Sequence, residues 1–252
     1  MADKRRKPIV DPRAAERRRS LWIRIGSTVA IIVIAAVVAV AILASNGKLG
    51  SKDDGAPIAG ATPSVVTNNA FRLTTAPAGT TPPATVQIYE DFQCPVCKQF
   101  EQVYSDALTQ ARSNPKVAID YQPVAILDKM SSTDYSTRSA NASACVAEAT
   151  KGADNFAVWL KFHGLLYENQ PEENSAGLSD DQLASYATKA GAPGNVKQCI
   201  SDAHFKAWVT DQTNKSQISG TPTVKINGQD FDIQQGPQAF LAAINQAAGA
   251  QQ

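Results

Sequence analysis

The amino-acid sequence predicts an α/β domain in which a block of helices is inserted into a β-sheet, preceded by one transmembrane helix. Three observations lead to this fold class. An uncharged apolar run covers residues 25–44, a strand-like run at 85–90 leads directly into a Cys-x-x-Cys helix, and an Asn-Gly turn joins two strand-like runs near the C-terminus. The residues between the second and third features have mostly helical periodicity.

The apolar run 25–44 sets the predicted topology. At a rise of about 1.5 Å per residue, these 20 residues can cross a hydrocarbon core about 30 Å thick. Nine of the 24 Lys and Arg residues but three of the 23 Asp and Glu residues precede residue 45, which leaves a net charge of −5 for the rest. Such a basic cluster stays on the cytoplasmic side. We therefore expect a cytoplasmic tail over 1–24, a single-pass anchor over 25–44 and an extracytoplasmic remainder.

Other interpretations of the N-terminus are weaker. A cleaved signal peptide would use the small residues at 39–41, but the apolar run exceeds a usual signal-peptide core and the cut would fall inside it. Arg18-Arg19 resembles a twin-arginine signal only faintly. The position of the basic cluster against the apolar run makes topology a simpler explanation than nucleic-acid binding.

The remainder divides into a tether and a folded domain. Residues 45–83 are rich in Gly, Ala, Pro, Ser and Thr, which predicts a linker, with a possible first edge strand near 70–74. The domain is expected over 84–252, with a helical insertion at about 130–217. No internal repeat is visible.

The order of elements predicts a thioredoxin-type sheet. Strand 85–91, a helix over 99–111 and strand 117–124 form a β-α-β unit, so the two strands should lie parallel. The insertion should contain five helices, at 135–151, 155–167, 179–190, 193–200 and 203–216. Asn227-Gly228 then joins strands 222–226 and 229–233 in a hairpin, and a helix over 237–247 follows.

The Cys94-Pro95-Val96-Cys97 stretch carries the predicted chemistry. Cysteines three residues apart share a helix face, so their sulfurs can form a disulfide. Cys94 lies at the helix N-terminus, where unpaired N–H groups and the macrodipole favour an anion. Thiolates in such places have pKa values of roughly 3.5 to 7.5. Cys94 should therefore be the attacked sulfur and Cys97 the resolving thiol.

A metal site is the alternative use of a Cys-x-x-Cys pair. The sequence has no second such pair, and His163 and His204 lie far away along the chain. No phosphate loop or nucleophile elbow is present either, so neither a metal nor a cofactor is predicted. His163 lies on an apolar helical stripe and is expected in the core or at its rim, with a peptide-groove role as the alternative.

Three separated motifs resemble DsbA-like thiol–disulfide oxidoreductases. The active-site motif is Asp91-Phe92-Gln93-Cys94-Pro95-Val96-Cys97. Residues 155–170 resemble part of the helical insertion of that family, and residues 219–228 resemble its cis-proline loop and hairpin. The motifs occur in the family's order, and the match covers about 71–249. The predicted anchor and a second cysteine pair suggest the actinobacterial, membrane-anchored branch.

The resemblance implies that Thr221-Pro222 is a cis peptide packed against the Cys-x-x-Cys sulfurs. The backbone of Thr221 would then lie along an edge where an extended substrate chain can add as a strand. An ordinary trans turn before a strand is the alternative.

One family position departs from the pattern. The family commonly places a buried acid six residues before the first cysteine, where it helps to move the proton of the resolving thiol; here that position is Ile88. Glu90 is expected either to substitute for it or to be a solvated acid at the strand end. The strongest oxidants have a histidine where this chain has Val96. Glu90 and Asp91 oppose a thiolate and Lys98 favours it, so the disulfide should be less oxidising.

The second cysteine pair is Cys145 and Cys199, 54 residues apart. Disulfides persist in an extracytoplasmic compartment, so we expect a structural disulfide between two helices of the insertion. Two buried free thiols are the alternative.

The implied function is introduction of disulfides into exported proteins with free thiols, with a quinone-linked membrane partner that reoxidises the Cys94–Cys97 disulfide. The expected catalytic residues are Cys94, Cys97, Thr221, Pro222 and Glu90. One alternative function, which uses the same thiol–disulfide chemistry, is that of an isomerase or reductase. Isomerases of this kind usually carry a dimerisation domain, and residues 45–83 are too few to form one. A second alternative is a non-enzymatic function: a membrane-tethered, thioredoxin-like chaperone or binding module whose cysteines take no part in catalysis.

Overall fold

A computed structural model describes residues 61–249 of the chain. The predicted basic tail, membrane helix and first part of the linker lie outside the described residues. Between residues 61 and 249, no helix combines the length and apolar character that a membrane span needs.

A mixed sheet of five strands forms the centre of the described part. The strands are β1 (Phe71–Thr74), β2 (Ala84–Glu90), β3 (Val117–Pro123), β4 (Thr223–Ile226) and β5 (Gln229–Asp230). Their order in the sheet is β1-β3-β2-β4-β5. β2 and β3 are parallel, as predicted, and the other neighbours are antiparallel. The predicted edge strand near 70–74 is β1.

Eight α-helices surround this sheet in the described residues. They are α1 (Pro95–Val103), α2 (Ser105–Ser113), α3 (Tyr135–Ala149), α4 (Ala153–Glu168), α5 (Asp180–Ala190), α6 (Asn195–Ser201), α7 (Lys206–Ser216) and α8 (Gly236–Gly249). Helices α3 to α7 form the insertion between β3 and β4. All seven residues of β3 are buried. Successive strand residues point to opposite faces, so both faces of the sheet are covered at β3.

The single helix predicted over 99–111 is wrong, because the structure has two helices that meet at Tyr104. The backbone of Tyr104 has φ −95° and ψ 3°, outside the helical region. Its ring stacks on Phe100 at 4.5 Å between centroids and meets Phe240 edge-on at 5.4 Å. Its hydroxyl donates to the carbonyl of Ile233. These contacts with the C-terminal part of the domain hold the break in place.

The hairpin forms at Asn227-Gly228, but its second strand is shorter than predicted. β5 ends at Asp230 instead of Ile233. The Asp232 carboxylate accepts a hydrogen bond from the Gln234 N–H at 2.9 Å, which starts a 3-10 turn over Ile233–Gln235. This local cap competes with continued strand pairing.

Helices α3 and α6 are joined covalently. Cys145 and Cys199 form a disulfide with 5.8 Å between their Cα atoms. Both residues are buried in the core of the insertion.

Candidate active site

The Cys-x-x-Cys pair lies where β2 passes into α1. β2 ends at Glu90, the Cys94 N–H donates to the Asp91 carbonyl at 2.9 Å, and Cys94 is the N-cap residue of α1. Pro95 occupies the first helical position. A backbone N–H at this position would have no acceptor within the helix, so the helix loses no hydrogen bond to the proline. Both cysteines are free thiols. Cys94 is 6% exposed and Cys97 only 1%, so Cys94 is the sulfur that a partner thiol can reach.

The two thiols differ sharply in acidity. The pKa of Cys94 is lowered to about 6, chiefly by hydrogen bonding from the Cys97 thiol, with further contributions from Thr221 and from the N–H groups of Val96 and Cys97, against the opposing effect of burial. Burial and the neighbouring Cys94 raise the pKa of Cys97 well above its usual range. At neutral pH Cys94 is therefore mostly a thiolate and Cys97 a thiol.

The loop before β4 completes the sulfur site. Thr221-Pro222 is a cis peptide, and the Thr221 carbonyl accepts a hydrogen bond from the Cys94 thiol at 3.2 Å. Two grooves are lined in part by residues that follow Cys94 and Thr221 in the chain. One, of about 360 Å³, includes Val96, Val103 and Ile233 in its lining, and the other, of about 380 Å³, includes Pro222 and Phe231. Val96 and Val103 are exposed apolar side chains.

Asp91 organises the turn before the cysteines. Its buried carboxylate accepts hydrogen bonds from the N–H groups of Gln93 at 2.9 Å, Ile126 at 2.9 Å and Leu127 at 3.0 Å. Burial nevertheless raises its pKa to about 6. The carboxylate of Asp91 thus joins the active-site turn to the loop after β3.

Glu90 is buried, so the interpretation as a solvated strand-end acid is wrong. It is 1% exposed, and both of its carboxylate oxygens lie 2.9 to 3.0 Å from His163 Nε2. The Tyr167 hydroxyl donates to Glu90 at 3.1 Å. Tyr167 lies near enough to Cys97 for the two to interact electrostatically. His163 is 3% exposed and belongs to the core.

Gln170 is a site residue that sequence reasoning missed. Its side-chain amide donates to the carbonyls of Phe92 at 2.9 Å and Cys94 at 3.0 Å. It follows α4 in the chain, so these two bonds fix the helical insertion to the active-site turn. Periodicity predicts the helix over 155–167, but no local pattern marks Gln170 as a partner of residues more than 70 positions away.

Replacing Gln170 by alanine should loosen the active-site turn. Each lost hydrogen bond stabilises the fold by about 1 kcal/mol, and the N-terminus of α1 loses one of its supports. We expect the pKa of Cys94 to rise and its alkylation rate at pH 6.5 to fall. Asn169→Ala is the matched control, since the Asn169 amide bonds only to the Leu165 carbonyl within α4. Equal alkylation rates in the two variants would contradict this role.

Comparisons with known proteins agree with this geometry. The family model described as thioredoxin matches residues 79–246. The solved structure of reduced DsbA from Mycobacterium tuberculosis is 32% identical, with a TM-score of 0.64, and the match covers 72% of this chain and 93% of that one. Reduced DsbG from the same organism, described as a disulfide bond oxidoreductase, is also 32% identical, with a TM-score of 0.64, over 72% of this chain and 88% of that one.

A curated relative is a much longer protein. Serine/threonine-protein kinase PknE of Mycobacterium tuberculosis is 33% identical over 153 residues, which cover 56% of this chain and 26% of that protein. The chain thus spans about a quarter of the length of the curated relatives it matches.

Proposed function

The chain belongs to the thioredoxin family as a DsbA-like thiol–disulfide oxidoreductase, and on that premise we propose that it introduces disulfides into exported proteins. The observation that carries the proposal is the split in acidity between the two thiols. A nearly buried, acidic Cys94 beside a fully buried, non-acidic Cys97 is suited to passing on a disulfide.

The transfer takes place in two exchange steps. A substrate thiolate attacks Cys94 Sγ of the Cys94–Cys97 disulfide, a bond forms between substrate and Cys94, and the bond to Cys97 breaks. Cys97 leaves as a thiolate and takes up a proton, since its pKa is raised well above its usual range. A second substrate thiolate then attacks the substrate sulfur of the mixed disulfide and releases Cys94 as a thiolate. The substrate loses two electrons and gains a disulfide, and the Cys pair is left reduced.

The direction of transfer follows from the released thiolate. Every interaction that lowers the pKa of Cys94 stabilises the reduced form relative to the disulfide. Protein thiols elsewhere, with pKa values near 8.5, gain no such stabilisation. Electrons should therefore flow from substrate to this protein.

Other residues have supporting roles in the proposal. The Thr221 backbone beside Cys94 and the grooves lined by Val96 and Pro222 would hold an extended, partly apolar substrate segment. Glu90 would serve as the buried acid that helps Cys97 exchange its proton, in place of Ile88, because Tyr167 links it to the region of Cys97.

The proposed setting is the outer side of the cell membrane. The apolar run 25–44 would act as a single-pass anchor with the basic tail in the cytoplasm. The Cys145–Cys199 disulfide is suited to an oxidising compartment. A quinone-linked membrane protein would then reoxidise the Cys pair. The proposed substrates are exported proteins with free thiols.

Refolding of a reduced, disulfide-containing enzyme tests the proposal. The oxidised protein should restore that enzyme's activity in proportion to the disulfide supplied, and the same protein reduced beforehand should not. A scrambled, wrongly paired enzyme serves as the second substrate. Faster recovery of the scrambled substrate than of the reduced one would favour isomerase activity, the second candidate, which is supported by a Cys94 pKa of about 6, not far below the value of about 7 in thioredoxin.

An aggregation assay tests the alternative that the protein is a chaperone. Substrate aggregation should be measured with wild type and with a Cys94→Ser/Cys97→Ser double variant. Equal protection together with no disulfide transfer by wild type would overturn the proposed function in favour of a binding module.

A further inference from the structure

Three side chains from three separate elements converge beneath α1. Glu90 ends β2, Glu101 lies on α1 and His163 lies on α4. One oxygen of each carboxylate and one ring nitrogen of His163 all lie within 4.8 Å of one another. Glu90 and His163 are almost completely buried. The redox chemistry described above uses neither Glu101 nor His163.

Glu101 has a free ligand atom inside this cluster. Its Oε1 atom is buried and has no hydrogen-bond partner. A buried carboxylate oxygen without a partner is costly, and the usual compensation is a charge partner or a metal ion. Burial raises the pKa of Glu101 to about 7, against the opposing effects of His163 and Arg112.

The charges of the cluster match a divalent cation. In the form that can ligate a metal, with both carboxylates ionised and the imidazole neutral, the cluster carries a charge of −2. Arg112 lies outside the cluster and acts on it electrostatically. Its guanidinium donates a hydrogen bond to the Tyr121 hydroxyl at 2.8 Å. An ion of charge +2 would therefore neutralise the site without a buried excess of negative charge.

We propose that Glu90, Glu101 and His163 bind a divalent transition-metal ion of the Zn²⁺ class. Two oxygens and one imidazole nitrogen form a ligand set that Zn²⁺ accepts, whereas Mg²⁺ and Ca²⁺ prefer oxygen alone. With bonds of about 2.0–2.2 Å, tetrahedral ligand atoms lie about 3.4 Å apart. The 2.9 Å separation of Glu90 and His163 needs only a small expansion to reach that value.

The surroundings already orient two of the ligands. The Tyr167 hydroxyl bonds to Glu90 at 3.1 Å. The His163 ring packs against the rings of Phe92, Tyr121, Trp159 and Tyr167, with centroids 5.0 to 5.7 Å apart. Such outer contacts fix the orientation of a ligating imidazole and increase metal affinity.

A surface cavity gives an ion access to the cluster. The cavity has a volume of about 460 Å³, and its lining includes Glu101, His163, Tyr167 and Glu168. It leaves room for a water molecule in the fourth coordination position. The cluster does not include the cysteine sulfurs, so metal binding should not require reduced cysteines.

Metal binding should displace protons. His163 has its pKa raised by the carboxylates of Glu90 and Glu101, against the effect of burial. The phenols of Tyr121 and Tyr167 and the Arg112 guanidinium face the same cluster. Affinity should therefore increase with pH, because Glu101 and His163 must lose their protons before they can bind the metal.

The test is titration of the full chain with Zn²⁺ by calorimetry, in its disulfide form so that the cysteines cannot bind metal. One equivalent should bind in wild type, and Glu101→Gln or His163→Gln should weaken binding at least about tenfold. Glu168→Gln is the matched control, since it lines the same cavity outside the cluster and should bind like wild type. Circular dichroism checks that each variant is folded.

Co²⁺ gives a readout that needs no variant. The oxidised wild-type protein should show the visible bands of a four-coordinate nitrogen–oxygen site, with no sulfur-to-metal charge-transfer band. Absence of stoichiometric Zn²⁺ binding to wild type, or equal binding by Glu101→Gln and Glu168→Gln, would overturn the proposal, and so would a sulfur charge-transfer band. None of these outcomes depends on disulfide transfer, so the proposed function stands or falls separately.

Discussion

Replacing Cys97 by serine should convert the protein into a covalent trap for its substrates. The serine hydroxyl can donate the hydrogen bond that the Cys97 thiol makes in wild type, so Cys94 stays available as a thiolate and forms mixed disulfides with oxidised partners. No buried thiol is left to attack Cys94 and release them. Mixed disulfides should accumulate to more than half of the protein and survive non-reducing electrophoresis. In Cys94→Ser both trapping and disulfide transfer should be lost, because Cys97 is 1% exposed and its pKa is raised.

Comparing Cys97→Ser with Cys94→Ser shows which of the two cysteines reacts with substrates. The Cys94→Ser/Cys97→Ser double variant controls for non-covalent association. If Cys94→Ser trapped substrates as well as Cys97→Ser does, the buried sulfur would be reactive, and the assigned roles would be wrong.

Removal of the Cys145–Cys199 disulfide should lower the free energy of unfolding more than the other substitutions proposed for this protein. The bridge closes a loop with a sequence separation of 54 residues. In the chain-entropy model such a loop stabilises the folded state by about 4 kcal/mol. Cys145→Ala/Cys199→Ala should lower the midpoint of thermal unfolding by roughly 8 to 16 °C for a domain of this size.

The measurement is made in a Cys94→Ser/Cys97→Ser background, so that one disulfide alone responds to reductant. Reductant should lower the midpoint of this background protein to near that of the quadruple variant, and should not change the quadruple variant. A midpoint within 2 °C in all four samples would show that helices α3 and α6 are held by packing alone.

Features with local sequence signals could be predicted. The transition from β2 through Cys94 to α1 follows from a strand pattern, a proline and helical spacing. Asn227-Gly228 specifies the hairpin by its turn preference. Ser179 and Gln182 have the spacing of a capping box, and both of its hydrogen bonds form at the start of α5. In each case the signal and the structure lie within a few residues.

Features set by distant contacts could not be predicted. The break at Tyr104 depends on a hydrogen bond to Ile233, 129 residues away. The burial of Glu90 depends on His163 and Tyr167, which approach it from another helix, 73 and 77 residues on. Periodicity could place His163 on an apolar stripe, but it could not show which strand end that stripe would cover.

The proposed metal site at Glu90, Glu101 and His163 could not be predicted from the sequence for the same reason. The sequence has one Cys-x-x-Cys and two distant histidines, a pattern that predicts no metal site. Glu90, Glu101 and His163 meet only because β2, α1 and α4 pack together. Ligand sets assembled from separate elements leave no spacing pattern in the chain.

The reduction potential, measured against glutathione from pH 5 to pH 8, shows whether Cys94 is a stabilised thiolate and its disulfide therefore oxidising. Because the pKa of Cys94 is depressed, the stabilisation of the reduced form is lost as the pH falls through about 6 and is complete only above the unfolded value of 9.0. Reduction should take up two protons below pH 6 and one above it, so the slope should change from about 59 to about 30 mV per pH unit. At pH 7 the potential should lie above the value of about −270 mV typical of thioredoxin. A potential at or below that value, with the steeper slope unbroken to pH 8, would contradict the account.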